Sequence, residues 1–167
     1  MKPSLYWIDA QVGLATLPHP RGSDWLEDEL KALYQAGIRV LVSLLTPPEV
    51  DDLALKEEPA LCAARGIAFV SFPIPDREVP SSARLTWGLV RELDQKLKAG
   101  QGVGIHCRSG IGRASLLAAC ILVSRGEAPD AAFAQIAEAR GRPVPDVEEQ
   151  RAWVDRFAQS LASGSLR

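Results

Sequence analysis

The segment from Val103 to Val123 constrains the fold more than any other part of the chain. A short apolar run, Val103 to Ile105, precedes a loop, and a second apolar run, Leu116 to Val123, follows it. The loop between them is His106-Cys107-Arg108-Ser109-Gly110-Ile111-Gly112-Arg113. This order predicts a buried strand, a tight turn and a helix N-terminus. Because a helix N-terminus offers free N–H groups and a positive dipole end, we expect the loop to bind a phosphate-like anion beside the cysteine.

The loop resembles the signature H-C-x-x-G-x-x-R of the cysteine-dependent protein tyrosine phosphatase superfamily. The chain length and the segment Phe72-Pro73-Ile74-Pro75-Asp76-Arg77 resemble its compact dual-specificity branch. The resemblance implies a phosphomonoester hydrolase that acts through a phosphocysteine intermediate on phosphotyrosine proteins, and also on phosphoserine or phosphothreonine. Alternatives within the superfamily are a phosphoinositide phosphatase, an RNA 5′-phosphatase and a phospho-binding pseudophosphatase. A sulfurtransferase or an arsenate reductase would also use an anion-bound cysteine, but His106 and the Asp76 loop favour a phosphatase.

Three residues are the catalytic candidates. Cys107 is the nucleophile, because loop N–H groups, the helix dipole and Arg113 all favour its reactive thiolate form. Arg113 is expected to bind two phosphate oxygens with its guanidinium fork. The resemblance implies that Asp76 is the general acid that protonates the leaving oxygen, with Glu78 as the fallback. The predicted phosphate-binding residues are Arg108, Ser109, Gly110, Ile111, Gly112 and Arg113.

The resemblance also assigns supporting residues. His106 is expected to organise the loop by hydrogen bonding, and Gln150 to lie near the site and orient water; a solvated helix residue is the alternative for Gln150. Cys62 is a candidate redox partner that forms a disulfide with Cys107, but a packed core cysteine is the favoured interpretation. Ala114 departs from the family, in which Ser or Thr commonly follows the arginine and stabilises the departing thiolate.

The composition limits the remaining possibilities. The chain has 167 residues and is 47% hydrophobic, which suffices for one domain with a proper core. The formal charge of −2 does not favour nucleic acid or an anionic membrane, and no long apolar run predicts a signal peptide or membrane span. Three cysteines without a Cys/His cluster predict neither a disulfide framework nor a metal, and no cofactor is expected. We therefore expect a cytoplasmic monomer whose partner is a phosphorylated protein or another phosphomonoester.

The order of predicted elements indicates an α/β fold. It is a single domain over 1–161 with a mostly parallel central sheet flanked by helices, as in dual-specificity phosphatases, and a frayed tail over 162–167. Five strands are predicted: 5–8 and 12–17 at an edge or as a hairpin, 38–45 and 67–72 as buried strands, and 102–106 leading to Cys107. The predicted helices are 23–36, one opening near Pro48, 59–65, 82–99, 112–124, 129–139 and 146–161.

Overall fold

A five-stranded sheet forms the centre of the molecule. The computed structural model describes residues 1–167. The strands are β1 (Tyr6–Asp9), β2 (Leu14–Leu17), β3 (Ile38–Ser43), β4 (Ala68–Ser71) and β5 (Gly102–His106), in the spatial order β1-β2-β5-β3-β4. Only β1 and β2 pair antiparallel, and the other three pairs are parallel. The predicted α/β fold with a mostly parallel sheet is therefore confirmed, and β5 is its central strand.

Seven helices cover the two faces of this sheet. They are α1 (Leu26–Gln35), α2 (Pro47–Asp52), α3 (Glu58–Arg65), α4 (Ala83–Lys98), α5 (Arg113–Ser124), α6 (Pro129–Arg140) and α7 (Glu148–Ser163), with a short 3-10 helix, Ser23–Trp25, before α1. The larger core cluster lies between the sheet and α4–α7, and the smaller one between the sheet and α1 and α3. α5 is buried along nearly its whole length, which explains its uninterrupted apolar sequence.

Several element bounds differ from the sequence-based prediction. β4 is an edge strand with Ala68 and Ser71 exposed, so the prediction of a second strand buried on both faces is wrong. β2 was predicted with β1 at an edge, but it lies inside the sheet and is fully buried. β1 alone forms the edge opposite β4. Residues Ser23–Trp25 form a 3-10 turn, so α1 begins at Leu26 and not at residue 23. The helix predicted over 82–99 begins at Ala83, because Ser82 is its N-cap and its Oγ accepts a hydrogen bond from Leu85 N at 3.1 Å.

The parallel order brings three chain segments to one edge of the sheet. β3 and β4 flank each other, and β5 lies on the other side of β3, so their carboxyl ends point the same way. Leu44 N donates to His106 O, and Ile74 N donates to Leu44 O, so the loops that leave all three strands are bonded to one another. This edge carries the loop after β5, α2 after β3 and the proline-rich segment after β4. Ligand sites of open parallel sheets lie at this edge.

Candidate active site

The loop between β5 and α5, residues Cys107–Gly112, is called the cysteine loop below. From Arg108 to Arg113 no backbone N–H donates a hydrogen bond to any protein acceptor. Four of these six residues, Gly110 to Arg113, are buried, and nearly all buried N–H groups in proteins are hydrogen-bonded. Cys107 is buried at the start of this run. The loop therefore has the free donors that an oxyanion needs, next to a thiol.

Two glycines permit the close packing of this loop. Gly110 has a φ of +75°, and a Cβ there would lie 2.7 Å from the carbonyl of Leu17. At Gly112 a Cβ would lie 2.5 Å from Asp146 Oδ2 and 2.9 Å from Gln150 Oε1. The first glycine lets the loop turn against β2, and the second lets the start of α7 pack against the loop.

Arg113 is buried under the loop and held in one orientation. Its Nη1 and Nη2 donate to the two carboxylate oxygens of Glu49, at 2.7 and 2.9 Å. Nη1 also donates to the Ile74 carbonyl at 2.9 Å, and Nη2 to Asp76 Oδ1 at 3.1 Å. All four Nη hydrogens are thus engaged, and only Nε–H lacks a protein acceptor. The guanidinium is fixed in position before any ligand arrives.

Glu49 was not identified from the sequence as a site residue. It follows Thr46-Pro47-Pro48 in the first turn of α2, and its Oε1 also accepts hydrogen bonds from the backbone N and the hydroxyl of Thr46. The T-x-x-E spacing of a capping box could have indicated the local bonds. The second partner, Arg113, is far along the chain and only the tertiary fold brings it there.

Glu49 and Arg113 each stabilise the charged form of the other. Burial alone would raise the pKa of Glu49, but hydrogen bonds from Arg113 and Thr46 and the charge of Arg113 lower it from 4.5 to about 2. Burial would likewise lower the pKa of Arg113, but the hydrogen bond to Glu49 and the charges of Cys107, Glu49 and Asp76 raise it. Both groups are therefore ionised at neutral pH.

Asp76 lies beside Arg113 and accepts a hydrogen bond from its Nη2. The segment that carries Asp76 follows β4. Ile74 N donates to the Leu44 carbonyl, and the Ile74 carbonyl accepts from Arg113, so these two hydrogen bonds hold the start of this segment in place. The Asp76 side chain remains more than half exposed. The structure therefore brings an accessible carboxylate and the buried arginine into direct contact.

Arg108 and Ser109 are the exposed residues of the cysteine loop. Arg108 Nε donates to Glu49 Oε2 at 3.3 Å, so Glu49 accepts from both Arg108 and Arg113. The Arg108 carbonyl accepts from His19 N, and the Ser109 carbonyl accepts from Arg140 Nη2 at 3.3 Å. Carbonyls of the loop thus point outward to neighbouring segments, while its N–H groups are left free.

His106 is fully buried and bonded on both ring nitrogens. Nδ1 lies 3.1 Å from the Cys107 carbonyl oxygen, and Nε2 lies 2.7 Å from Oε2 of Glu58. Glu58, the first residue of α3, is also buried, and it was not predicted from the sequence to be a site residue. No local pattern indicates a partner 48 residues away.

Gln150 lies against the cysteine loop, beside Gly112. It is fully buried, and its Nε2 donates to the Glu78 carbonyl at 3.2 Å. The side chain thus joins the start of α7 to the segment that carries Asp76. Asp146, which precedes α7, also reaches the loop through its carboxylate and was not singled out from the sequence.

The remaining cysteines are free thiols. Cys62 belongs to the smaller core cluster and Cys107 to the larger one, and their disulfide stays a prediction. Burial and the charge of Glu58 raise the pKa of Cys62 to about 12, and burial raises that of Cys120. Ala114 and Ser115 are both buried, and the Ser115 hydroxyl has no hydrogen-bond partner.

The chain contains no group of three or more His, Cys, Asp or Glu side chains arranged to hold a metal ion. None of its helices has the length and apolar character needed to cross a membrane.

The sequence of this chain is similar to a family model and to two curated proteins described here. A family model described as "Polymorphic toxin system, DSP-PTPase phosphatase" matches residues 15–127. "Cyclin-dependent kinase inhibitor 3" of Rattus norvegicus is 27% identical over 157 residues, which cover 91% of this chain and 74% of that protein. "Protein tyrosine phosphatase PRL-1" of Leishmania major is 30% identical over 138 residues, 77% of this chain and 72% of that protein.

Solved structures share the fold along nearly the whole chain. Kinase associated phosphatase, crystallised with its catalytic-site cysteine replaced by serine, superposes with a TM-score of 0.84 at 21% identity, covering 98% of each chain. Tk-PTP in its active form gives 0.79 at 25% identity, covering 95% of this chain and 99% of that one. From the matched residues and the fold together, the chain belongs to the dual-specificity phosphatase family and is a cysteine-dependent protein tyrosine/dual-specificity phosphatase.

Proposed function

We propose that Cys107, Arg113 and Asp76 carry out the reaction and that phosphotyrosine in proteins is the preferred substrate. The observation that carries the assignment is the set of unpaired N–H groups from Arg108 to Arg113 around a buried cysteine. These donors can bind the three non-bridging oxygens of a phosphoryl group and stabilise the negative charge on them in the transition state. The phosphoryl group then lies in position for attack by the thiolate.

Counting the hydrogens of Arg113 supports a specific order of events. Its free Nε–H can donate to one phosphate oxygen, but a bidentate contact also needs the Nη2 hydrogen that Arg113 now donates to Asp76. The incoming phosphate therefore replaces Asp76 on Arg113. Glu49 retains its two bonds and keeps the guanidinium in place.

The displaced Asp76 carboxyl is free to act on the leaving group. The sulfur of Cys107 forms a bond to phosphorus while the bond to the leaving oxygen breaks, and protonated Asp76 gives that oxygen its proton. In the second step a water molecule attacks the phosphocysteine, and Asp76 takes the proton from the water. Phosphate leaves and the thiolate is restored.

Further assignments follow from the same reasoning. Gln150 is proposed as a supporting residue, because its bond to the Glu78 carbonyl joins α7 to the Asp76 segment. Arg108, Ser109, Gly110, Ile111 and Gly112 bind phosphate through their backbone.

A catalytic thiolate needs a reducing compartment, which supports a cytoplasmic location. The catalytic unit is proposed to span 1–161, followed by a tail over 162–167.

A panel of substrates tests the proposal. Peptides with phosphotyrosine, phosphoserine or phosphothreonine, a phosphoinositide and an RNA with a 5′-phosphate are compared by phosphate release, with Cys107→Ser as the control. We expect the highest kcat/KM on phosphotyrosine and none in the control. A higher kcat/KM on the lipid or the RNA would assign the corresponding alternative, and phosphate binding without turnover of any substrate would indicate a pseudophosphatase.

A further inference from the structure

Beneath the cysteine loop three buried groups form a continuous hydrogen-bonded chain. The Glu58 carboxylate contacts His106 Nε2 at 2.7 Å, and His106 Nδ1 contacts the carbonyl oxygen of Cys107 at 3.1 Å. Glu58 and His106 are 1% and 0% exposed. We propose that Glu58 is a positioning residue that orients the cysteine loop through His106; the role rests on the proposed function of that loop.

The hydrogen-bonding capacities of these groups fix where the protons lie. A carbonyl oxygen only accepts, so His106 Nδ1 must carry a hydrogen and donate it to Cys107 O. The short contact between Nε2 and Glu58 then needs one further proton, on either the imidazole or the carboxyl. The pair is therefore either imidazolium with carboxylate or imidazole with carboxylic acid, and in both forms it carries no net charge. Glu58 thereby fixes the ring orientation, and the Cys107 carbonyl requires the hydrogen on Nδ1.

The planar peptide bond transmits this orientation to the loop. In a trans peptide the C=O and the following N–H point in opposite directions. The bond that holds the Cys107 carbonyl toward His106 therefore directs the Arg108 N–H away from it. Arg108 N is one of the unpaired donors, so the buried pair aims one N–H of the proposed phosphate-binding set.

The local sequence explains how a carboxylate can be held at this place. Glu58 is the first residue of α3, and Pro59 follows it in the first turn, where a proline fits without loss of a hydrogen bond. A negative or hydrogen-bonding carboxyl is favoured at a helix N-terminus. Ser43, on β3, is the register partner of His106 across the sheet, so α3, β3 and β5 all converge here.

Four variants test the role. Glu58→Ala removes the bond and Glu58→Asp withdraws the carboxyl by one methylene. Glu58→Gln keeps it, because the amide can donate to Nε2 of a neutral His106 and the pair remains uncharged. Glu57→Gln is the matched control, since Glu57 is the adjacent, exposed residue and its side chain makes no hydrogen bond.

Binding of inorganic phosphate, measured by calorimetry, is the principal readout because it does not depend on turnover. Loss of one well-aimed donor to a charged ligand predicts about tenfold weaker binding in Glu58→Ala and Glu58→Asp, with Glu58→Gln within about threefold of the parent. Glu57→Gln should match the parent. The same ranking should appear in kcat/KM for para-nitrophenyl phosphate.

Other results would overturn the role. If Glu58→Ala and Glu58→Asp lower only the unfolding temperature and bind phosphate like the parent, Glu58 merely supports the fold. If neither variant folds, ¹⁵N NMR of the parent and of Glu58→Gln decides: a His106 Nδ1 without a hydrogen in either protein contradicts the proposal. A parent that binds phosphate in a Glu58-dependent way but hydrolyses nothing would refute the proposed function and leave this inference intact.

Discussion

Glu49 binds the guanidinium of Arg113 with both carboxylate oxygens, at 2.7 and 2.9 Å, from a helix that starts 66 residues before the arginine. Arg113 is 2% exposed and begins a helix, a place that is unfavourable for a cation. The Glu49 carboxylate offsets that cost and leaves the guanidinium ready for a second anion.

Replacing Glu49 by Gln should impair both stability and activity. The amide cannot accept from both Nη groups, so the buried cation loses its main counter-charge, at a cost of about 3 kcal/mol in unfolding free energy. Phosphate binding and kcat/KM should both fall, because Arg113 is no longer held in one orientation. Urea unfolding and steady-state kinetics check this. An unfolding free energy equal to that of the parent would show that Asp76 and the Ile74 carbonyl hold Arg113 without Glu49.

The same residue predicts a loss of stability in acid. Glu49 has a lower pKa in the folded protein, about 2, than its ordinary value of 4.5. Its contribution is fully present above pH 4.5 and disappears as the pH falls toward 2, a difference of about 3 kcal/mol. The unfolding free energy of Glu49→Gln should fall less steeply over this range. Parallel curves for the two proteins would contradict the assignment.

Asp76→Asn should separate the two roles of this carboxyl. Without a proton donor, kcat on substrates with poor leaving groups should fall roughly 10²–10⁴-fold, with a smaller loss on para-nitrophenyl phosphate. Inorganic phosphate should inhibit the variant more strongly, because no carboxylate competes for Arg113 Nη2. Equal losses on both substrates, or weaker inhibition by phosphate, would indicate a structural role for Asp76.

Cys107→Ser should abolish hydrolysis and preserve anion binding. The backbone donors and Arg113 do not depend on the sulfur, whereas a serine hydroxyl is a far weaker nucleophile at neutral pH. Calorimetry with phosphate and a discontinuous phosphate-release assay measure the two properties. Turnover in the variant above that of a heat-denatured sample would exclude Cys107 as the nucleophile.

Ala114→Ser should accelerate breakdown of the phosphocysteine. A hydroxyl directly after Arg113 can donate to the sulfur as negative charge returns to it, and such a bond contributes about 1.5–3 kcal/mol, enough for about tenfold in rate. Stopped-flow kinetics should show a burst of para-nitrophenol in the parent that shrinks in the variant. A parent without a burst and an unchanged single-turnover rate would indicate another donor, with Ser115 the first to test.

The local parts of the site could be predicted from the sequence. The strand, the cysteine loop and the helix over 102–124 follow from apolar runs and glycines, and the bounds of β5 agree with the prediction. Glu49, Glu58 and Asp146 also lie at the site, and they contact Arg113, His106 and the Gly112 region respectively from distant segments. Their sequence surroundings are those of ordinary acidic residues near helix starts, so only the tertiary arrangement identifies them.

The position of β4 at the edge of the sheet could not be predicted from the sequence either. The run 67–72 has the β-branched and aromatic character of a buried strand, yet β4 pairs on one side only. An apolar run indicates that a segment can form a strand, but it does not indicate whether that strand pairs on one side or on both.

The contact of Asp146 and Gln150 with Gly112 bears on where a working fragment of this protein can end. Sequence similarity to the family model stops at residue 127, before α6 and α7. A fragment cut there would retain every residue from Cys107 to Arg113 but lose one wall of the loop and the anchor for the Asp76 segment. The matched part of the sequence and the part of the structure that contacts the loop therefore differ in extent, and the start of the C-terminal helix belongs to the second.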